Sequence, residues 1–169
     1  MNTKNFTKLI NKDNLATKFI FDELGMTWQI SFTRIVGGTK EIYESPEHFF
    51  LSLIKAVEMH TDLTYGLSNW QFEVDLKEWC NGLKIEKIDI STFERDLKGA
   101  LDEIEEYKDD WTGENEPRFN KHNVIKPNGL MNYWKIEETI NPRMPVGPTY
   151  GYLAEFKESY FYIEYHLES

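Results

Sequence analysis

Residues 26–33 read Met-Thr-Trp-Gln-Ile-Ser-Phe-Thr, with apolar and polar positions alternating without a break. A period of two puts Met26, Trp28, Ile30 and Phe32 on one face, the pattern of a half-buried strand. Phe19-Ile20-Phe21 offers a partner strand, joined through Glu23-Leu24-Gly25. Gly37-Gly38 reads as a turn, because glycine reaches positive φ at little cost. The period then changes. Ser45-Pro46-Glu47 is a helix start: serine caps free N–H groups, proline suits the first helical position and glutamate suits the dipole. Phe49, Phe50, Leu53, Ile54 and Val57 follow at helical spacing, which predicts a helix over about 46–60.

Residues 70–77, Trp-Gln-Phe-Glu-Val-Asp-Leu-Lys, alternate again. Positions 72, 76, 79, 80 and 83 also fit a helix, but the unbroken alternation and the Trp, Phe and Val content favour a strand closed by Asn81-Gly82. Ser91-Thr92-Phe93-Glu94 has the form of a capping box. Phe93, Leu97, Leu101, Ile104 and Lys108 then share one face, predicting a helix over about 92–109. Turn signals fill residues 112–129, and 131–138 reads as a strand. Pro142, Pro145 and Pro148 precede a C-terminal β-hairpin. Their spacing of three is also a polyproline II register, although a stiff loop is the commoner use of such prolines. Within the hairpin, Phe161, Ile163, Tyr165 and Leu167 point inward, and Tyr160, Tyr162, Glu164 and His166 point outward. The expected fold class is α+β: a mainly antiparallel sheet packed by two amphipathic helices (about 46–60 and 92–109), with a C-terminal β-hairpin, in a single domain spanning 1–169.

The composition supports a folded core, since aromatics make up 15% of the 169 residues. One cysteine, Cys80, excludes an internal disulfide framework. The N-terminal residues carry no apolar run of signal-peptide length, and no stretch approaches a transmembrane span, so the expected home is cytoplasmic and no membrane partner is expected. The net charge of −10 makes nucleic acid a poor partner.

The chemistry of common enzymes is missing. Val36-Gly37-Gly38 lacks the spacing and the Lys-Ser/Thr of a phosphate-binding loop, and no GxSxG occurs. Ser52-Leu53-Ile54-Lys55 matches SxxK in the middle of a helix, without companion motifs. His48, His60, His122 and His166 show no local metal-ligand spacing, and Cys80 has no CxxC partner. No cofactor, metal or catalytic residue is expected.

Charge is concentrated. Residues 102–116 hold eight acids and one lysine, so most of the net charge of −10 sits there. Asp102/Glu106, Glu105/Asp109 and Glu106/Asp110 are like-charge i,i+4 pairs, each costing about 0.2–0.5 kcal/mol on an isolated helix. They also crowd a helix end where the dipole prefers cations. Arg118, Lys121, Lys126 and Lys135 could fold back to neutralise them; alternatively, the run docks a basic partner. The tyrosines of the last strand are a second candidate, because tyrosine gives contact area while its hydroxyl stays wet. A layer covering that strand is the competing explanation. The candidate partner-binding residues are Asp102, Glu103, Glu105, Glu106, Asp109, Asp110, Trp111, Tyr160, Tyr162 and Glu164.

In size, charge and absent chemistry the chain resembles immunity proteins that neutralise secreted toxins. That resemblance implies a non-catalytic inhibitor of a basic protein, such as a toxin nuclease. The alternative is a small-molecule-binding domain or an enzyme with an aromatic pocket lined by Trp28, Trp70, Trp79 or Trp134.

Overall fold

The computed structural model describes residues 1–11, 22–28, 31–59, 76–107, 129–138 and 149–167. Helix α1 (Thr3–Asn11) precedes strands β1 (Asp22–Trp28) and β2 (Ser31–Thr39). Helices α2 (Pro46–Met59) and α3 (Leu76–Asn81) lead to β3 (Leu83–Lys87) and α4 (Phe93–Tyr107). Strands β4 (Leu130–Glu138), β5 (Thr149–Phe156) and β6 (Ser159–Leu167) complete the chain order. The six strands form one antiparallel sheet, ordered β1-β2-β6-β5-β4-β3. The fold is α+β.

Alternation along the inner strands is apolar on both faces, so helices must cover both. On one face Val36, Trp134, Ile136, Leu153, Tyr160 and Tyr162 pack with residues of α1, α2 and α3. On the other, Ile35, Tyr133, Ala154, Phe156 and Ile163 pack with Phe93, Leu97 and Ala100 of α4. Tyr160, Tyr162 and Glu164 are therefore interior, at 2%, 0% and 3% exposure. This corrects their expected outward, partner-facing placement: α2 and its neighbours supply the second layer, with Phe50 set edge-on to Tyr162 and Phe49 stacked on Tyr160.

Helix α2 starts as its sequence implies. The His48 N–H donates to Ser45 Oγ at 3.1 Å. Glu47, buried in the first turn, accepts from the Asn2 N–H at 2.8 Å and from Asn5 Nδ2 at 3.2 Å, tying α1 to α2. Phe6 then packs on Phe50.

Four expectations are corrected. The 26–33 alternation is interrupted by a hairpin, with Trp28 opposite Phe32 across β1 and β2. The burial of Trp28, Ile30 and Phe32, and the partner strand at 19–21, lie outside the described residues and side chains. Gly37 and Gly38 continue β2 instead of turning. A Cβ on Gly38 would stand 2.7 Å from the Tyr43 ring and 2.8 Å from that of Phe49, so glycine here permits close approach. The predicted strand at 70–77 yields at its end to α3, which begins at Leu76 and buries Trp79 and Cys80; residues 70–75 lie outside the described part. Finally, α4 is entered through a 3₁₀ turn (Ile90–Thr92) capped by Asp89, whose carboxylate accepts the Ser91 N–H at 2.9 Å. Ser91 is thus inside the turn and is not the cap. No helix among the described residues is long and apolar enough to cross a membrane.

Candidate docking face

Helix α4 carries the acidic run. Its apolar stripe faces the sheet, and its N-terminal end sits over β4 and β5, where the Phe93 ring is edge-on to Tyr133 and Phe156. Farther along, the helix approaches β2 and β1. Its second half contains Asp102, Glu103, Glu105 and Glu106 with no basic residue in the last described turn. Asp102 is exposed and paired with Lys98, one turn earlier. Glu106 is exposed. Glu105 belongs to the helix, but its side chain lies outside the described part, as do Asp109, Asp110, Trp111, Arg118, Lys121 and Lys126 entirely.

Glu103 has a different setting. It lies beside the half-buried tyrosines Tyr150 and Tyr165 at the sheet corner flanking α4. Burial comes first in pushing the Tyr165 phenol up, and the Glu103 carboxylate is the next cause. The Tyr150 phenol is raised by burial, then by Tyr152 and Glu103, while Lys135 opposes. The register explains the grouping. Glu137 pairs with Tyr150, and Tyr150 with Tyr165; one row in, Lys135 pairs with Tyr152. Tyr150 stacks on Tyr165 with centroids 5.3 Å apart. Tyr152 stacks on Tyr133 at 5.7 Å and meets Tyr150 and Tyr165 edge-on, both at 6.1 Å.

Polar contacts fix this corner to α4. The Tyr133 hydroxyl donates to Asp96 Oδ2 at 3.1 Å, and the Tyr165 hydroxyl donates to the Asp96 carbonyl at 3.3 Å. Lys135 Nζ lies 5.6 Å from the Tyr150 centroid and 2.6 Å from Glu137 Oε1. Tyr150 and Tyr152 are candidate residues that the sequence reading did not single out, and Lys135, expected among the bases that could neutralise the acidic run, pairs with Glu137 instead. The signal available was the same-face alternation of Tyr150 with Tyr152, opposite Tyr165 in the hairpin.

The tryptophans expected around a pocket are placed otherwise. Trp79 is wholly buried and stacks on Phe50, and Trp134 is 6% exposed in the same cluster. Trp70 and the side chain of Trp28 lie outside the described part. Among the described residues no group of three His, Cys, Asp or Glu side chains is arranged to hold a metal ion. No family model, curated protein or solved structure matches the chain.

Proposed function

We propose that this chain is a non-catalytic acidic binding protein that captures a basic protein partner through α4, in the manner of an immunity protein acting on a toxin nuclease. The carrying observation is the charge of the second half of α4: four acids, Asp102 among them paired with Lys98, and no base in the last described turn, toward the helix end where the dipole favours cations. Such a face costs the free protein some stability and repays it at encounter. Toxin nucleases hold phosphates in a cationic cleft, and an acidic helix can enter that cleft as a charge mimic and be steered to it. On this reading the protein works in the cytoplasm of the cell it protects. Trp79 lends the aromatic-pocket alternative no support, since no part of its surface meets water.

The test uses the product of the gene immediately upstream, which this reading expects to be a basic secreted toxin. Mixing should give a stable complex and abolish the toxin's activity. Glu106→Lys combined with Asp110→Lys should lower the association rate about tenfold at low salt, with the gap closing as salt shortens the screening length to about 8–10 Å and below. Thermal stability should hold or rise. A fall in stability with unchanged association is the signature of acids neutralised by Arg118, Lys121 and Lys126, and it would end the docking reading.

A further inference from the structure

We propose that the tyrosine corner beside α4 is a seat for a guanidinium group, presented by an arginine of the basic partner. This rests on the acidic-docking reading and adds the chemical group recognised and the place it occupies.

Three observations converge. First, Tyr150, Tyr152 and Tyr165 are half-buried and mutually stacked or edge-on, and Tyr165 is tied to α4 through the Asp96 carbonyl. The rings are held in place before any ligand arrives, so binding orders few side chains. Second, the corner is electronegative. Asp96, Glu103 and Glu137 outnumber the two bases there, Arg95, which pairs with Asp96 at 2.9 Å, and Lys135, and both Glu103 and Asp96 add to burial in holding the Tyr165 proton. Third, one ring already carries a cation in the free protein. Lys135 extends over Tyr150 with Glu137 as its counter-ion, and its side chain is still 33% exposed. A ring face that accepts the chain's own ammonium will accept an incoming cation of better fit.

Guanidinium is the better fit. It is planar, stacks on aromatic faces, and is more weakly hydrated than an ammonium, so it gives up less on leaving water. Its N–H fork can reach carboxylates such as Glu103 while its plane lies on a ring. Lys135 then acts as a resident competitor: it leaves the Tyr150 face when the arginine arrives and keeps Glu137 as its partner. An anion or a phosphate backbone would meet three carboxylates against two bases, Arg95 and Lys135, and be disfavoured by the net negative charge.

The experiment titrates the full-length chain with a tetra-arginine amide peptide and, separately, a tetra-lysine amide peptide, by calorimetry at low and high salt. The expected result is tighter binding of tetra-arginine than of tetra-lysine. Tyr150→Leu should weaken tetra-arginine binding about 3- to 30-fold, the range of a single cation–π contact. Tyr150→Phe should retain it, because the ring face remains. Lys135→Met should strengthen it severalfold, because the competing cation is gone; this readout survives even if Tyr150→Leu fails to fold. Equal binding of the two peptides would overturn the proposal, reducing the interaction to bulk charge. Binding weakened by Glu106→Lys but indifferent to Tyr150→Leu and Lys135→Met would also overturn it, while sparing the docking role of α4. Concentration-dependent self-association abolished by Tyr150→Leu would assign the corner to a second copy of the chain and overturn it as well.

Discussion

The Thr33 hydroxyl is wholly buried and meets no hydrogen-bond partner among the described residues. It sits opposite Tyr165 in the row that crosses β2 and β6, on the face under α4. A buried hydroxyl that loses water and gains nothing costs about 1–3 kcal/mol. Thr33→Val keeps the branched shape, removes the polar atom and should raise stability by about 1 kcal/mol, read as a higher denaturation midpoint. An unchanged or lower midpoint would mean that the hydroxyl has a partner. Gly38 gives the reverse case. Its missing Cβ admits the rings of Tyr43 and Phe49, which meet edge-on at 5.3 Å. Gly38→Ala forces those rings apart and should cost about 1–3 kcal/mol, the usual penalty of overfilling a packed site. Hydrogen-exchange protection in α2 should fall with it, since Phe49 lies on that helix.

The entry to α4 shows why a motif can be right in kind and displaced in position. Ser91 and Glu94 have capping-box spacing, yet the 3₁₀ turn moves the cap two residues back to Asp89. The Ser91 backbone N–H, then the Ser91 side chain, holds the Asp89 carboxyl below its ordinary range. Because the folded value is depressed, the stabilisation is complete above the unfolded carboxyl's value of about 3.9 and fades as pH falls through the folded one. Asp89→Ala should therefore lower the melting temperature at neutral pH, and the gap to the parent should narrow below about pH 4. Ser91→Ala leaves the backbone N–H in place and should have the smaller effect; the opposite ranking would restore Ser91 as the cap. Other elements were legible for clear reasons. Helix α2 combined a serine cap, an N1 proline and a full apolar stripe. Strand β4 and the C-terminal hairpin followed from alternation alone. Helix α3 was misread because strand and helix periods coincide over residues 72–76, and only the adjacent apolar pair Trp79-Cys80 breaks the tie. The β1–β2 reversal was hidden because Trp28 and Phe32 are cross-strand partners, so the alternation runs on through the reversal. Helix α1 offered only the spacing of Phe6, Leu9 and Ile10. At the site, Glu103 was legible from charge, whereas its tyrosine neighbours depend on strand register, which joins residues far apart in the chain.

Over the whole molecule, tyrosine links the two layers to one pH response. Tyr43 and Tyr160, packed with the α1–α3 face, are each pushed up to about 12, burial being the main cause. On the α4 face Tyr133 and Tyr165 are driven higher still, by burial first and then by Asp96 for Tyr133 and Glu103 for Tyr165. Tyr150 and Tyr152 are raised by burial as well. Each folded phenol therefore holds its proton more tightly than a phenol in the unfolded chain, which ionises near pH 10. Their contribution is complete below pH 10 or so and is lost as pH climbs through the folded values, because the unfolded state gains charge first. The existing net charge of −10 adds self-repulsion in the same direction. Alkaline unfolding should consequently be cooperative. Phenolate absorbance should stay low to about pH 10, then rise together with the loss of secondary structure before about pH 12, and the melting temperature should fall steadily over that interval. Because rings on both sheet faces are involved, neither layer should survive the other. The contrary result is a gradual titration of most of the nine tyrosines near pH 10 with circular dichroism unchanged. That would place the rings in water and remove both the two-sided aromatic core and the preformed tyrosine corner beside α4.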